Sequence, residues 1–439
     1  MLGFAIFVLT AGSLLFAESY LREFSIAGIY FHGIPSESMM QTVSVFDLKN
    51  EAFISLWNLH IQPPLFDVLR MILAKLASSN DPLYFQYEVD KGLYLFWAMI
   101  YGLICMTIFF WLSKITSNWF AFISALLFAA SPAMLLYATI LEATLLSSFL
   151  ILCFIYLLWK IGNQEKVSPW LLAISFLLLF FTRSIFQWQW LILISISLVL
   201  LKYPIADLRK FLLISGILVA LFLLKQFLLF GITSTSSFTG LNLCQSIGVC
   251  KPHFVPDLKP SETLGLPNVL IRDKKLTQAH NFNHLKDLSL NKAYFKDYRD
   301  GLSAKSIHEL ASIYYDNLLL YFQPSSNYAS TNILLVKLPE RWRVYYEKVF
   351  SAPLMPLILF ACLIFWGVRS HLNKLRSSVG IAIPVMAIFV ISVLFESGEN
   401  MRFKFFIEPI LFIFIASQIY SAGSLSWNFL LGGKGSSKK

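Results

Sequence analysis

Residues 93–113 read LYLFWAMIYGLICMTIFFWLS, an unbroken run with no charged side chain. As a helix it rises about 30 Å, which is the thickness of a bilayer's hydrocarbon core and needs ~17–25 apolar residues. Working outward, comparable runs occupy 2–17, 117–137, 141–159, 168–182, 185–201 and 211–230, and then 352–368, 377–395 and 405–422. The composition agrees. Of 439 residues, 57% are hydrophobic and only 14% charged, against roughly 25% charged in soluble domains, and the mean hydropathy is +0.66. The expected fold is an all-α polytopic membrane protein of about ten transmembrane helices, with a retained first helix because LGFAIFVLTAGSLLFA lacks a basic leader. Runs 168–182 and 185–201 are short enough to form either two spans or an embedded hairpin.

Charge divides these runs into two sides. Lys114, Lys160, Lys166, Lys202, Arg209, Lys210, Arg369, Lys374, Arg376 and the tail lysines fall in short connections. With the first helix entering from the cytoplasm, all of them land inside, as the positive-inside rule asks. The opposite side then receives the loop 18–92, the long polar segment 231–350 and the Glu396–Lys404 loop. This gives a membrane core over 1–230, an external and partly helical segment over 231–350, closing helices over 351–422 and a cytoplasmic tail over 423–439. The net charge of +10 sits at the membrane faces. No basic helix and no interleaving of cations with aromatics is present, so nucleic acid is excluded as a partner. Cys105, Cys153 and Cys362 read as apolar packing residues, while Cys244 and Cys250 can pair if their loop meets an oxidising compartment.

The first external loop carries DLKNEAFISLWNLHIQPPLFDVLR, residues 47–70. Pro63 and Pro64 fix φ at successive positions and bias Gln62 away from the helical region, so His60 stands on a rigid ledge. Asp47, Glu51 and His60 are its candidate reactive groups, with Trp57 as a surface on which a sugar can stack. Each has a plain alternative: Asp47 caps a helix, His60 braces the turn, and Trp57 belongs to an interfacial aromatic belt. Farther on, Glu142 and Arg183 interrupt apolar stretches, and Arg402 and Lys404 precede the last helix.

The pattern resembles the GT-C class of integral membrane glycosyltransferases. The resemblance rests on Asp47 followed by His60-Ile61-Gln62-Pro63-Pro64-Leu65, on Ser131-Pro132 with Glu142 ten residues on, on Thr182-Arg183-Ser184, and on Arg402–Pro409 opening the last helix. It covers 1–230 and 351–422. Gln62 is an extra residue relative to the family element, and the paired acids of many members are replaced by Asp47 alone. The resemblance implies transfer of a sugar from a polyprenyl-phosphate donor to a lipid, glycan or protein acceptor outside the cytoplasm, with inversion. It assigns Asp47 as base and Arg183 as phosphate ligand, with Arg402 and Lys404 as second cations and Glu142 and His60 on the acceptor side. No metal ligands are assigned, although a divalent cation such as Mg or Mn is compatible with the chemistry. A bacterial inner membrane is preferred over the endoplasmic reticulum, since Lys438-Lys439 stands too near the end for a dilysine signal. A non-catalytic flippase and an assembly subunit are the rival readings. One-sided placement of the polar groups favours the enzyme, because transporter sites lie near the bilayer midplane.

Overall fold

Run 93–113 lies within a helix that begins earlier. Asp81 accepts the amides of Leu83 and Tyr84 at 3.0 Å each, and Pro82 follows at the first helical position, where its missing N–H costs nothing. The resulting helix α5, Pro82–Ser113, has 32 residues, or about 48 Å, so its first turns stand clear of the apolar stretch. This computed structural model describes residues 1–23, 36–256, 259–328 and 375–432, and every regular element among the described residues is helical. Run 352–368 and Cys362 lie outside them.

The remaining helices are α1 (Leu2–Glu23), α2 (Val45–Asn50), α3 (Ala52–Trp57), α4 (Leu65–Leu76), α6 (Asn118–Ala129), α7 (Pro132–Thr139), α8 (Thr144–Gly162), α9 (Pro169–Phe180), α10 (Gln189–Leu200), α11 (Ile205–Phe230), α12 (Thr239–Ser246), α13 (Pro260–Thr263), α14 (Leu285–Ala304), α15 (Ile307–Phe322), α16 (Leu375–Phe395), α17 (Asn400–Lys404) and α18 (Glu408–Gly432). Among the described residues four helices are long and apolar enough to cross a membrane: α5, α8, α11 and most of α16. A fifth crossing arises if α6 and α7 count together. They derive from one apolar run, which bends by 57° at Ser131 because Pro132 rejects a helical predecessor. Helices α9 and α10 have 12 residues each, about 18 Å, too short to cross ~30 Å alone. Only 17% of the apolar stretch of α11 is buried in the protein, so that helix depends on lipid to cover the rest.

Helix α1 packs along α5 and α6, α8 lies between α5 and α9, and α10 packs on α16. Gly102 lets α1 approach, since a Cβ there would sit 2.8 Å from Phe7. The core is aromatic, with Trp97, Trp111, Tyr137 and Phe405 fully buried. Two of them satisfy carbonyls left over at helix breaks: Trp97 Nε1 donates to Ile140 O at 3.0 Å and Tyr137 Oη to Ser325 O at 2.9 Å. Glu142 precedes α8 and Lys160 lies near its end, so the acidic and basic ends of this helix are about 28 Å apart.

A second, smaller core joins the first loop to the long polar segment. Val43, Leu48, Leu59 and Ile61 pack with Phe238, Val269, Leu270 and Leu288, so the two stretches form one cap. Cys244 and Cys250 are paired, and Gly240 lets α12 press on α14, where a Cβ would stand 1.9 Å from the Asn291 carbonyl. Helix α15 starts with a capping box between Ser306 and Glu309 and packs on α16 and α17.

Candidate functional site

The ledge is built as its two prolines require, and most of its polar groups are absorbed by structure. Asn283 Oδ1 accepts the amides of His60 and Ile61 at 2.8 and 3.0 Å. Ser237 N donates to His60 O at 2.7 Å, and Gln226 Nε2 donates to Leu59 O at 3.1 Å. The His60 ring is fully buried, with Nδ1 2.8 Å from Ser237 Oγ and Phe230 across its face at 4.8 Å. Burial pushes its pKa down to about 3, so the imidazole is neutral. His60 braces the turn.

Below the ledge, two buried cations clamp the stretch 38–42 from opposite sides. Arg70 Nη1 holds Asp67 at 2.5 Å and the Val43 carbonyl at 2.8 Å. Lys274, from the polar segment, donates to the carbonyls of Glu37 and Met39 at 2.6 Å each and to Thr42 Oγ1 at 3.1 Å. All of these side chains are removed from water, and desolvation lowers the Lys274 pKa to about 7. The clamped stretch forms one wall of a polar cavity.

That cavity encloses about 440 Å³, within the range of small-molecule sites. Three helix ends and one helix converge on it: Glu142 before α8, Arg183 after α9, Glu396, Glu399 and Arg402 between α16 and the end of α17, and Asn242 on α12. Gln62 reaches in from the ledge, held by its Nε2 donation to Asp67 at 2.9 Å. Arg402 Nη2 pairs with Glu399 at 2.5 Å and Nη1 with Glu142 at 3.3 Å, while Thr144 Oγ1 donates to Glu142 at 2.5 Å. Glu396 accepts from Asn242 Nδ2 at 3.3 Å. Withdrawal of its carboxyl from water, reinforced by Glu399 and opposed by Arg402 and Arg183, raises its pKa to about 8.

A second cavity of about 480 Å³ adjoins the first. Ile185, Trp190, Leu193, Ile391, Phe395 and Phe403 give it an apolar lining. The two cavities share two residues, Asn242 and Glu396.

The sequence-derived site divides accordingly. Glu142, Arg183, Arg402 and Gln62 meet in one space. Asp47 does not join them. It lies in α2, half-buried, and the charges acting on it most are Glu51, Glu37, Arg272 and Lys275. Desolvation and the two neighbouring acids raise its pKa to about 6. Glu51 accepts from Asn268 at 3.2 Å on the same side. Trp57 is half-exposed and stacks on Phe53, so it lies outside the cavity. Lys404 is also absorbed by structure: its ammonium donates to the Phe322 and Gln323 carbonyls and stands 3.9 Å from Glu408. Pro63 and Pro64 act only through the bend. Among the described residues no three His, Cys, Asp or Glu side chains converge on one point.

Two residues were missed as site groups. Glu396 and Glu399 are ordinary loop acids in sequence, and the only signal was that the Glu396–Lys404 loop falls on the polar side. Lys274 carried no signal at all. Set against known families, curated proteins and solved structures, the chain finds no match.

Proposed function

We propose that this chain is an integral membrane glycosyltransferase of the GT-C type, moving a sugar from a polyprenyl-phosphate donor to an acceptor outside the cytoplasm. The observation that carries the reading is the pairing of the two cavities. A polar space holding two guanidiniums and a fixed carboxylate opens beside an apolar groove, across a wall made by Asn242 and Glu396. That shape fits a phosphate with a sugar on one side and a hydrocarbon chain on the other. Arg402 is held by Glu142 and Glu399; in this reading Arg183, which lines the same space, takes the role of phosphate ligand and Arg402 that of orienting Glu142. A guanidinium suits the role because its planar fork matches phosphate oxygens.

In the transfer, the acceptor oxygen bonds to the sugar's anomeric carbon on the face opposite the phosphate. The carbon–oxygen bond to phosphate breaks, its electron pair leaves with the phosphate, and Glu142 takes the acceptor's proton. The anionic leaving group is stabilised by the fixed charge of Arg183.

The reading includes the ten-span topology, with Lys114, Lys160 and Lys202 cytoplasmic and the cavity on the other side of a bacterial inner membrane. Pairing of Cys244 with Cys250 supports that side, because disulfides persist in oxidising compartments. The test uses purified protein in nanodiscs. Polyprenyl phosphate should bind and the corresponding alcohol should bind much more weakly, with Arg183→Ala costing about tenfold or more, the worth of one charge-assisted hydrogen bond. From a panel of polyprenyl-phosphate sugars, one should release polyprenyl phosphate, and Glu142→Gln should stop release while keeping binding. Equal affinity for phosphate and alcohol would overturn the reading.

A further inference from the structure

Three carboxyls and two guanidiniums share the polar cavity. Glu142 and Glu399 are both ion-paired with Arg402. Glu396 forms no ion pair among the described residues and accepts one long hydrogen bond from Asn242. If all five groups were ionised, the cavity would carry one surplus negative charge, and that charge would sit on the wall shared with the apolar groove. An amphiphile lying across both cavities puts its polar–apolar junction against the same wall. For a lipid-linked phosphate that junction is the phosphate itself. An ionised Glu396 would therefore repel the ligand at the point where the ligand must be held.

We infer that Glu396 works as a neutral carboxylic acid, donating its proton in a hydrogen bond to the ligand's phosphate and making the site open to anionic lipids only while it stays protonated. This rests on the lipid-phosphate reading of the cavity and adds to it a pH gate with an identified group. The surroundings support the neutral form. The charged groups facing Glu396 are Arg402 and Glu399 from the following loop and helix and Arg183 from the end of α9, with Glu142 across the cavity at the start of α8. Helix α12 contributes only uncharged Asn242 and Gln245. Withdrawal from water favours the neutral acid, and its pKa lies at about 8. Arg183, which lines the same cavity, complements the single charge of a phosphodiester.

The probe is a polyprenyl methyl phosphate, a diester whose charge stays constant through neutral and alkaline pH, with binding read on the full chain in nanodiscs. Wild-type affinity should be flat below neutrality and fall about tenfold between pH 7 and 9, because the binding-competent fraction falls from about nine-tenths to one-tenth around a midpoint near 8. Glu396→Gln keeps shape and donor capacity without the titration, so its profile should be flat, within about threefold of wild type at neutral pH and tighter than wild type at pH 9. A flat wild-type profile overturns the inference even if the variant cannot be purified, and so does a Glu396→Gln profile that keeps the wild-type slope. A wild type that binds neither diester nor monoester at any pH overturns the lipid-phosphate reading itself, and this inference with it.

Discussion

The ledge around His60 and the cavity around Arg402 are both rich in buried polar groups, and they use them in opposite ways. On the ledge most groups close on protein partners: Asn283 takes two amides, Ser237 meets the imidazole Nδ1, and Gln226 holds the Leu59 carbonyl. In the cavity the groups come from three helix ends and one helix and surround open volume. Buried polar groups must be satisfied by someone. Where protein satisfies most of them the result is a brace, and where a space of ligand size lies between them the result is a site. A conspicuous motif by itself does not distinguish the two.

The largest effect that would sharpen this contrast lies in the brace. Arg70 and Asp67 are both fully buried and 2.5 Å apart. Arg70→Met strands the carboxylate, and breaking such a pair costs about 3–5 kcal/mol. Thermal unfolding in detergent should show a large loss. An unchanged melting temperature would mean that the clamp on 38–42 is not structural. Acid should attack the same region. The His60 pKa is lowered from 6.5 to about 3, so between those values the unfolded chain binds a proton that the native state refuses. Stability is then complete above the ordinary value and is lost as pH falls toward 3. His60→Gln should flatten that limb of the profile, and an equally steep profile in the variant would break the assignment of a buried neutral imidazole.

Next in size is Asn283→Ala. It removes one acceptor from two buried amides, an effect of about 1–3 kcal/mol, and polyprenyl-phosphate binding by the surviving folded protein should stay near wild type. Loss of binding without loss of stability would place the ledge in the site after all.

These cases show what could be read from sequence. Apolar length identified α5, α8, α11 and α16, because the bilayer constrains length directly. The bend at Ser131-Pro132 falls inside a run that reads as one span, and it follows from proline's action on its immediate predecessor. Arg183 and Glu142 stood out because charge inside apolar sequence is costly, and Arg402 because it belongs to the element that opens the last helix. Lys274 and Glu396 did not, because their surroundings are assembled by tertiary packing: Lys274 meets Glu37 across 237 positions and Glu396 meets Asn242 across 154. Asp47 is the converse case. Its spacing to His60 resembles a family element, while in the fold the charges acting on it are Glu51, Glu37, Arg272 and Lys275.

The smallest expected effect is therefore the most discriminating. Asp47 has a pKa raised from 3.8 to about 6, first by desolvation and then by Glu51 and Glu37. Between those values the native state holds a proton that the unfolded chain has released, so this group's contribution to stability declines as pH rises toward 6 and stays low above it. Asp47→Asn removes a like charge from the acid cluster. At neutral pH the melting temperature should hold or rise slightly, a change within about 0.5 kcal/mol, with polyprenyl-phosphate binding and sugar release within twofold of wild type. A folded Asp47→Asn protein that binds donor but releases nothing would reverse the comparison: the ledge would then supply the base, and the cavity would serve only to hold the lipid phosphate.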